Sequence, residues 1–215
     1  MDASNSESGS GAAVTRSLLG CGVWAGPFYL AVGLAQAFLR DGFVFAKHPL
    51  SVLTNGPGGW VQTANFVLTG LMVLAAAAGF RRVLGPKSRA VTWFLGGYGA
   101  SMIVAAMFKA DPVDGFPPGT PLGPPTSIST TGLVHFIAGA LGFTFLAISC
   151  FLAARVMRRR NVSSLALLSL FSGLAVVLGF FGGIVLPMGV VGIWFAVVVG
   201  WLWLTVMSVR LNRLP

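Results

Sequence analysis

The two histidines of this sequence and a nearby aspartate are the side chains best suited to chemistry. His48 lies in a polar segment at residues 40–59, Asp111 lies in a second one at residues 109–130, and His135 follows closely. Imidazole and carboxylate groups transfer protons near neutral pH. Two histidines and one carboxylate can also hold Zn²⁺ together with a reactive water. His48, Asp111 and His135 are therefore candidate catalytic residues and candidate zinc ligands.

Each of these three residues also has a purely structural interpretation. His48 precedes Pro49, and this pair is typical of a turn. Asp111 precedes Pro112 and could end a helix by accepting a backbone hydrogen bond. His135 lies about one turn inside an apolar segment, where an ionisable side chain favours a functional interpretation, although a structural hydrogen bond would also account for it. The sequence leaves both interpretations open.

Further polar and aromatic residues are candidates for ligand binding. They lie in the same two polar segments or just after the first of these segments. A glycine-rich stretch at residues 55–59 precedes an apolar segment, and free amides at such a helix start can hold an anion. The stretch could equally form a tight turn with Trp60 anchored at a membrane interface. The candidate ligand-binding residues are Ser51, Trp60, Gln62, Asn65 and Asp114.

The composition shows which kind of protein must position these groups. The chain has 215 residues, of which 55% are hydrophobic and 9% are charged, and its mean hydropathy is +0.85. Soluble domains contain about 25% charged residues because their surface faces water. This composition excludes a soluble domain and predicts an integral membrane protein.

The apolar residues suffice for six membrane spans of roughly 20 residues each. The predicted spans cover residues 17–39, 60–80, 90–108, 131–154, 164–186 and 189–209. We expect residues 1–15 to be a disordered tail, residues 16–210 to form the membrane domain, and residues 211–215 to form a second tail. The fold class is therefore all-α, a polytopic bundle of six transmembrane helices.

The distribution of basic residues predicts how the bundle is oriented. Three basic residues, Arg40, Lys47 and Lys109, lie in the two segments that hold the candidate site. The other eleven lie on the opposite side, and they are Arg16, Arg81, Arg82, Lys87, Arg89, Arg155, Arg158, Arg159, Arg160, Arg210 and Arg213. The positive-inside rule then places both termini in the cytoplasm and the candidate site outside it. Topology and attraction to anionic lipid explain the net charge of +9 without nucleic-acid binding.

Four motifs in this order resemble a bacterial membrane family that is known only as domain of unknown function 998 (DUF998). The resemblance covers nearly the whole chain and implies a six-helix bundle in the bacterial envelope, hence a multi-pass protein of the plasma membrane. It implies no activity. The motifs are His48-Pro49-Leu50-Ser51, Gly59-Trp60-x-Gln62-x-x-Asn65-Phe66, Asp111-Pro112-x-x-Gly115-Phe116-Pro117-x-Gly119 and Gly132-x-x-His135.

A weaker similarity links the chain to intramembrane hydrolases related to alkaline ceramidases, which place Ser, Asp and three His around zinc. Ser51, Asp111, His48 and His135 match part of that set. The similarity implies zinc as a cofactor, but this chain has only two histidines, and one of them lies in a loop.

Three functions follow from these observations. We favour a binding site for a lipid or small amphiphile at the extracytoplasmic mouth of the bundle. The first alternative is a membrane enzyme, hydrolytic or lipid-modifying, that uses His48, Asp111 and His135. The second is a partner subunit without chemistry that docks another protein through residues 109–130. Membrane lipids are expected partners in every case, and the oligomeric state stays open.

Overall fold

The structure, a computed structural model, describes residues 2–123, 125, 127–185 and 189–213. These residues form long α-helices and no β-strand, which confirms the all-helical fold class. Two short 3₁₀ helices, Leu50–Thr54 and Pro86–Ser88, lie between them. The six α-helices are α1 (Asp2–Leu39), α2 (Gly59–Leu84), α3 (Arg89–Met107), α4 (Thr130–Arg159), α5 (Ser163–Val185) and α6 (Gly189–Leu211).

All six helices are long and apolar enough to cross a membrane, with candidate spans of 22 to 30 residues. In α1 the candidate span begins at Ser10, while the helix itself begins at Asp2. Residues 2–15, for which the sequence predicts a disordered tail, therefore continue the helix. Arg82 at the end of α2 holds part of this extension, because its Nε donates to Thr15 Oγ1 at 2.9 Å.

The helices form a ring in which each packs against its neighbours in the chain and α1 packs against α6. Residues 40–58 and 108–129 lie together at one end, which we call the loop face. The start of α1 and the end of α6 lie at the other end, the terminal face. The half of the bundle next to the loop face is called the loop-side half, and the half next to the terminal face is called the terminal-side half. The ring gives the molecule an interior to which all six helices can contribute.

The terminal-side half is filled by large apolar side chains. Phe80, Met157 and Trp203 have no exposed surface. The indole N–H of Trp203 donates to Ser169 Oγ at 3.0 Å, so the polar atom of this buried ring is satisfied. This half of the interior is closely packed.

One close helix contact positions a residue of the loop-side half. α1 and α6 meet at Gly26, where a Cβ atom would lie 2.7 Å from the Cβ of Trp201. Any side chain at this position would push α6 away, since such a separation is shorter than a van der Waals contact. Gly26 thus allows the Trp201 ring to sit between α1 and the interior.

Candidate functional site

His48 joins the two loop segments through hydrogen bonds of its side chain. The amide N–H of Val44 donates to His48 Nδ1 at 2.9 Å. Because Nδ1 must therefore carry the lone pair, Nε2 carries the proton and donates to the carbonyl oxygen of Asp114 at 3.1 Å. His48 is fully buried and packs against Phe43 and Phe116, with ring centroids 5.4 and 5.6 Å away. These contacts agree with the structural interpretation of His48, and its catalytic role stays a prediction.

Asp111 organises the start of α4. Ser129 donates to its carboxylate from both the backbone amide, at 3.0 Å, and the hydroxyl, at 2.5 Å. The Ser129 hydroxyl in turn accepts the amide of Gly132 at 3.0 Å as the N-cap of the helix. A Cβ on Gly132 would lie 2.0 Å from the Asp111 Oδ2 atom, so glycine is needed here. The carboxylate is favoured there by the positive end of the helix dipole.

His135 lies one turn further along α4 and keeps one nitrogen free of protein partners. Its Nδ1 lies 3.0 Å from the carbonyl oxygen of Ala105 and 2.8 Å from that of Phe108. Two carbonyl acceptors require a proton on Nδ1, and in the neutral ring Nε2 then carries the lone pair. No described residue hydrogen-bonds to Nε2. His135 ties α4 to the end of α3 while one hydrogen-bonding atom remains available.

Asp114 stabilises the fold of the loop face. Its Oδ1 accepts the Gly123 amide at 2.9 Å, and its Oδ2 lies 3.2 Å from Lys47 Nζ. The hydrogen bond from Gly123, followed by the one from Lys47, lowers the pKa of Asp114 below its ordinary value. Asp114 has a positive φ of 45°, a conformation that aspartate tolerates better than most residues. Its contacts make it a part of the loop structure, and its role in ligand binding stays a prediction.

The structure does not bring the three predicted zinc ligands together. Across the described residues, no three His, Cys, Asp or Glu side chains are grouped as metal ligands. His48 uses both ring nitrogens for bonds to the backbone of Val44 and Asp114, while Asp111 and His135 line an internal cavity that His48 does not line. The metal site on His48, Asp111 and His135 therefore stays a prediction from the sequence.

Gln62 and Asn65 belong to a buried polar network between α1 and α2. Gln36 Nε2 donates to Gln62 Oε1 at 2.8 Å, and Asn65 Nδ2 donates to the Tyr29 carbonyl oxygen at 3.1 Å and to Gln62 Oε1 at 3.2 Å. Thr69 continues the network with a 3.3 Å bond to Asn65 Oδ1. These residues hold two helices together. They line no part of the cavity described below.

Trp60 and Ser51 are placed very differently. Trp60 is 73% exposed at the start of α2, as expected for an aromatic anchor at a membrane interface. Ser51 lies in the 3₁₀ helix Leu50–Thr54 and lines an internal cavity. Of the eight predicted site residues, only Ser51, Asp111 and His135 line this cavity.

The cavity occupies the loop-side half of the bundle and has a volume of about 330 Å³. Every one of the six helices contributes to its wall. Ile128, 69% exposed, lies at its mouth beside Asp111. On α6 the wall extends to Trp201, twelve residues beyond Gly189 and so about 18 Å along the helix. The cavity thus reaches from the loop face towards the middle of the bundle.

The walls of the cavity are apolar and aromatic, with a few polar groups that no motif in the sequence indicates. Tyr29, Tyr98 and Trp201 lie together in the deep part, with the Trp201 centroid 5.3 Å from that of Tyr29 and 5.6 Å from that of Tyr98. Ser101 lies one turn from Tyr98 and donates to the Gly97 carbonyl at 2.8 Å, which leaves its oxygen free to accept. Aromatic residues in an apolar helix resemble any other core residue, so no sequence signal marks them.

The Trp201 indole N–H has no hydrogen-bond partner among the residues that the structure describes. Trp201 is only 2% exposed. Within the described part of the chain, four buried side-chain atoms lack a partner, and they belong to Gln36, Gln62, Trp201 and Ser208. Of these four residues, Trp201 is the one that lines the cavity. An unpartnered buried donor is costly unless something completes it.

These features define a bundle of six helices that are long and apolar enough to span a membrane, with a partly enclosed cavity below the loop face. The chain belongs to the DUF998 family, described as a protein of unknown function, whose model matches residues 23–210. The predicted family resemblance is thereby confirmed. No curated protein and no solved structure matches the chain.

Proposed function

We propose that this protein binds a lipid or another small amphiphile in the cavity of the loop-side half. The observation that carries the proposal is the composition of the cavity wall: aromatic and aliphatic side chains from all six helices, with polar atoms at only a few points. Binding sites for small molecules have this composition, and their polar groups orient the ligand.

The dimensions of the cavity support one small ligand. Its volume of about 330 Å³ lies near the lower end of the roughly 300–1,000 Å³ found for ligand pockets. A single chain fits this space better than a two-chain phospholipid. The mouth beside Asp111 and Ile128 provides a polar exit for a head group.

Charge supports an orientation in which the mouth opens on the extracytoplasmic side of a bacterial plasma membrane. The loop face carries three basic and three acidic residues, so its formal charge is zero. The terminal face carries eleven basic and two acidic residues, which gives +9. The positive-inside rule favours both termini in the cytoplasm. Impermeant maleimide should label Ser127→Cys on intact cells and Lys87→Cys only after permeabilisation, in a chain whose Cys21 and Cys150 are replaced by alanine.

The two alternative functions, a membrane enzyme and a partner subunit that docks another protein, receive less support. An enzyme would have to rely on Asp111 and His135, because His48 is fully bonded within the loop face. A docking role for residues 109–130 would require their proline-rich part to face outwards. Pro112, Pro118, Pro121 and Pro125 are exposed, whereas Phe116 is fully buried and Pro117 packs on Gly56, where a Cβ atom would lie 2.9 Å from it. Exposed prolines alone identify no partner for this segment.

Gly139 provides the test of the proposed function. It lines the cavity on α4, and a Cβ atom there would have no neighbour within 4 Å. Gly139→Phe should therefore fill the cavity without disturbing the helices. With mono-oleoylglycerol as the probe, native mass spectrometry in detergent should show an affinity at least about tenfold weaker, equivalent to 1.4 kcal/mol.

Gly20→Phe is the matched control. Gly20 also lies inside a helix with open space around its Cβ position, but it is outside the cavity. This variant should bind the probe as the wild type does. Equal affinity in all three proteins, or no binding to any of them, would contradict the proposed function.

A further inference from the structure

We infer that the ligand of the cavity is a single-chain amphiphile with a protonated amino head group, which binds at the mouth between Asp111 and His135. The inference rests on the proposed function and specifies its ligand class. Three features of the mouth lead to it: an anion without a cationic partner, a free hydrogen-bond acceptor, and aromatic rings beside that acceptor.

The anion is the carboxylate of Asp111, which two hydrogen bonds from Ser129 fix in position. Among the described lining residues it carries the one formal charge, and no lysine or arginine is present. The one ion pair within the described ranges joins Lys47 to Asp114, so it does not involve Asp111. A cationic head group would supply the missing counter-ion, whereas a fatty-acid carboxylate or a phosphate would be repelled.

The acceptor is Nε2 of His135, a residue that is only 9% exposed. Its Nδ1 proton is directed to the carbonyl oxygens of Ala105 and Phe108, so Nε2 carries the lone pair of the neutral ring. Nε2 has no partner among the described residues, yet it is not one of their fully buried unpartnered atoms. It therefore keeps accessible surface, and the space beside His135 is the cavity. A ligand that donates an N–H bond would complete this acceptor.

One head group can reach both Asp111 and His135. The Asp111 carboxylate packs on Gly132, where a Cβ atom would overlap with it. His135 follows Gly132 by three residues on the same face of α4, and such positions lie about 5–6 Å apart. A primary ammonium group has three N–H donors, so it can bond to Nε2 and to the carboxylate at the same time.

Aromatic rings line the wall beside His135. Phe66 and Phe136 belong to this wall, and the centroid of Phe66 lies 6.2 Å from that of His135 and 5.6 Å from that of Tyr29. Aromatic rings accommodate a nearby cation better than aliphatic side chains do, because their faces are partly negative. The remaining wall is apolar and can hold the hydrocarbon chain.

The experiment compares three probes with the same chain: oleylamine, mono-oleoylglycerol and oleate. Dissociation constants are measured by native mass spectrometry in a non-ionic detergent at about pH 8, where an alkylamine is protonated and an ordinary imidazole is neutral. Oleylamine should bind the wild type at least about tenfold more tightly than mono-oleoylglycerol, and oleate should bind more weakly than both. Because the net charge of the protein is +9, non-specific attraction would favour oleate instead.

Asp111→Asn removes the charge and keeps an oxygen that can accept from Ser129. It should weaken oleylamine binding about tenfold and change mono-oleoylglycerol binding less than about twofold. Asp41→Asn is the matched control, because Asp41 is an exposed carboxylate of the loop face outside the cavity. It should leave all three affinities unchanged. An Asp111→Asn protein that keeps the full preference for oleylamine would overturn the inference.

A second measurement uses the wild type alone and covers the case in which Asp111→Asn fails to fold. In protein with ¹⁵N-labelled histidine, the Nε2 resonance of His135 should shift upfield on addition of oleylamine, as expected for a nitrogen that accepts a hydrogen bond. The resonances of His48 should stay in place, because both its ring nitrogens are already bonded to the backbone.

Oleate binding as tightly as oleylamine, or a His135 resonance unmoved by bound oleylamine, would overturn the inference. If mono-oleoylglycerol still binds in that case and Gly139→Phe still blocks it, the proposed function stands and only the ligand class is wrong.

Discussion

Two tryptophans of α6, two residues apart, show how the two halves of the bundle differ. Trp203 lies in the terminal-side half, has no exposed surface, and bonds to Ser169 at 3.0 Å. Trp201 lines the cavity of the loop-side half, and its indole N–H has no partner in the described part of the chain. Both rings are buried, yet only one has its polar atom completed within the protein.

This difference between the two halves predicts where a substitution affects stability and where it affects ligand binding. In the terminal-side half buried side chains such as Phe80, Met157 and Trp203 pack closely, and their contacts contribute to the folded state. In the loop-side half the same ring of helices encloses the cavity of about 330 Å³. We expect substitutions to act mainly on stability in the first region and mainly on affinity in the second.

The largest expected effect concerns the apolar packing itself. Phe80 is fully buried in the terminal-side half, and Phe80→Ala should destabilise the protein by about 3–5 kcal/mol because it leaves a cavity. Phe136 lines the ligand cavity and is 52% exposed. Phe136→Ala should cost only about 0.5 kcal/mol. Unfolding of both variants in detergent measures the two values, and similar costs would contradict the division into two halves.

A smaller effect should follow when the Trp203 indole loses the side chain that accepts its hydrogen bond. Ser169→Ala removes the acceptor of the Trp203 indole and leaves a buried donor unpartnered. The expected cost is about 1–3 kcal/mol. Trp201→Phe removes a donor that has no partner among the described residues, so its cost should come from the lost ring volume and not from a broken hydrogen bond. Trp203→Phe loses the same ring volume and also the bond to Ser169, so it should be the more destabilised of the two, and equal costs would contradict the contrast.

The smallest expected effect is a pH dependence confined to the loop face. The bonds from Gly123 and Lys47 lower the pKa of Asp114 in the folded state. A lowered pKa stabilises the fold above the unfolded pKa of about 3.9, and this contribution is lost as the pH falls through the folded value. The wild-type melting temperature should therefore drop below about pH 4.

Asp114→Asn should show less of this drop, because its side chain does not titrate. Asp41→Asn is the matched control, since Asp41 is an exposed carboxylate at the same face. It should follow the wild-type curve. An Asp114→Asn protein that loses stability in the same pH range, to the same extent as the wild type, would contradict the role assigned to Asp114.

The fold could be predicted from the sequence because hydropathy and span length depend on local composition. Six apolar segments predict six helices, and the motifs around His48 and Asp111 identify the family. The sequence also places Asp111 and His135 near each other, since one follows α3 and the other begins α4. The structure adds the reason for Gly132, which admits the Asp111 carboxylate to the start of α4.

The ligand site could be predicted only in part. His48 looks reactive in the sequence, but its partners are the Val44 amide and the Asp114 carbonyl, and backbone groups leave no mark in a motif. Trp201 gives no signal for the opposite reason, because a tryptophan in an apolar span resembles any other packing residue. Its importance depends on the absence of an acceptor among its described neighbours, which is a property of three-dimensional packing.

The most direct test of the account locates the ligand within the bundle. Mono-oleoylglycerol with a photoreactive diazirine in its chain is cross-linked to the purified protein, and the labelled residues are mapped by mass spectrometry. The account predicts labelling at cavity residues of α3, α4 and α6, such as Met102, Phe143 and Val197. Excess unlabelled mono-oleoylglycerol and the Gly139→Phe substitution should both suppress this labelling. Labelling confined to outward-facing residues such as Trp24 and Phe171, and insensitive to both treatments, would contradict it.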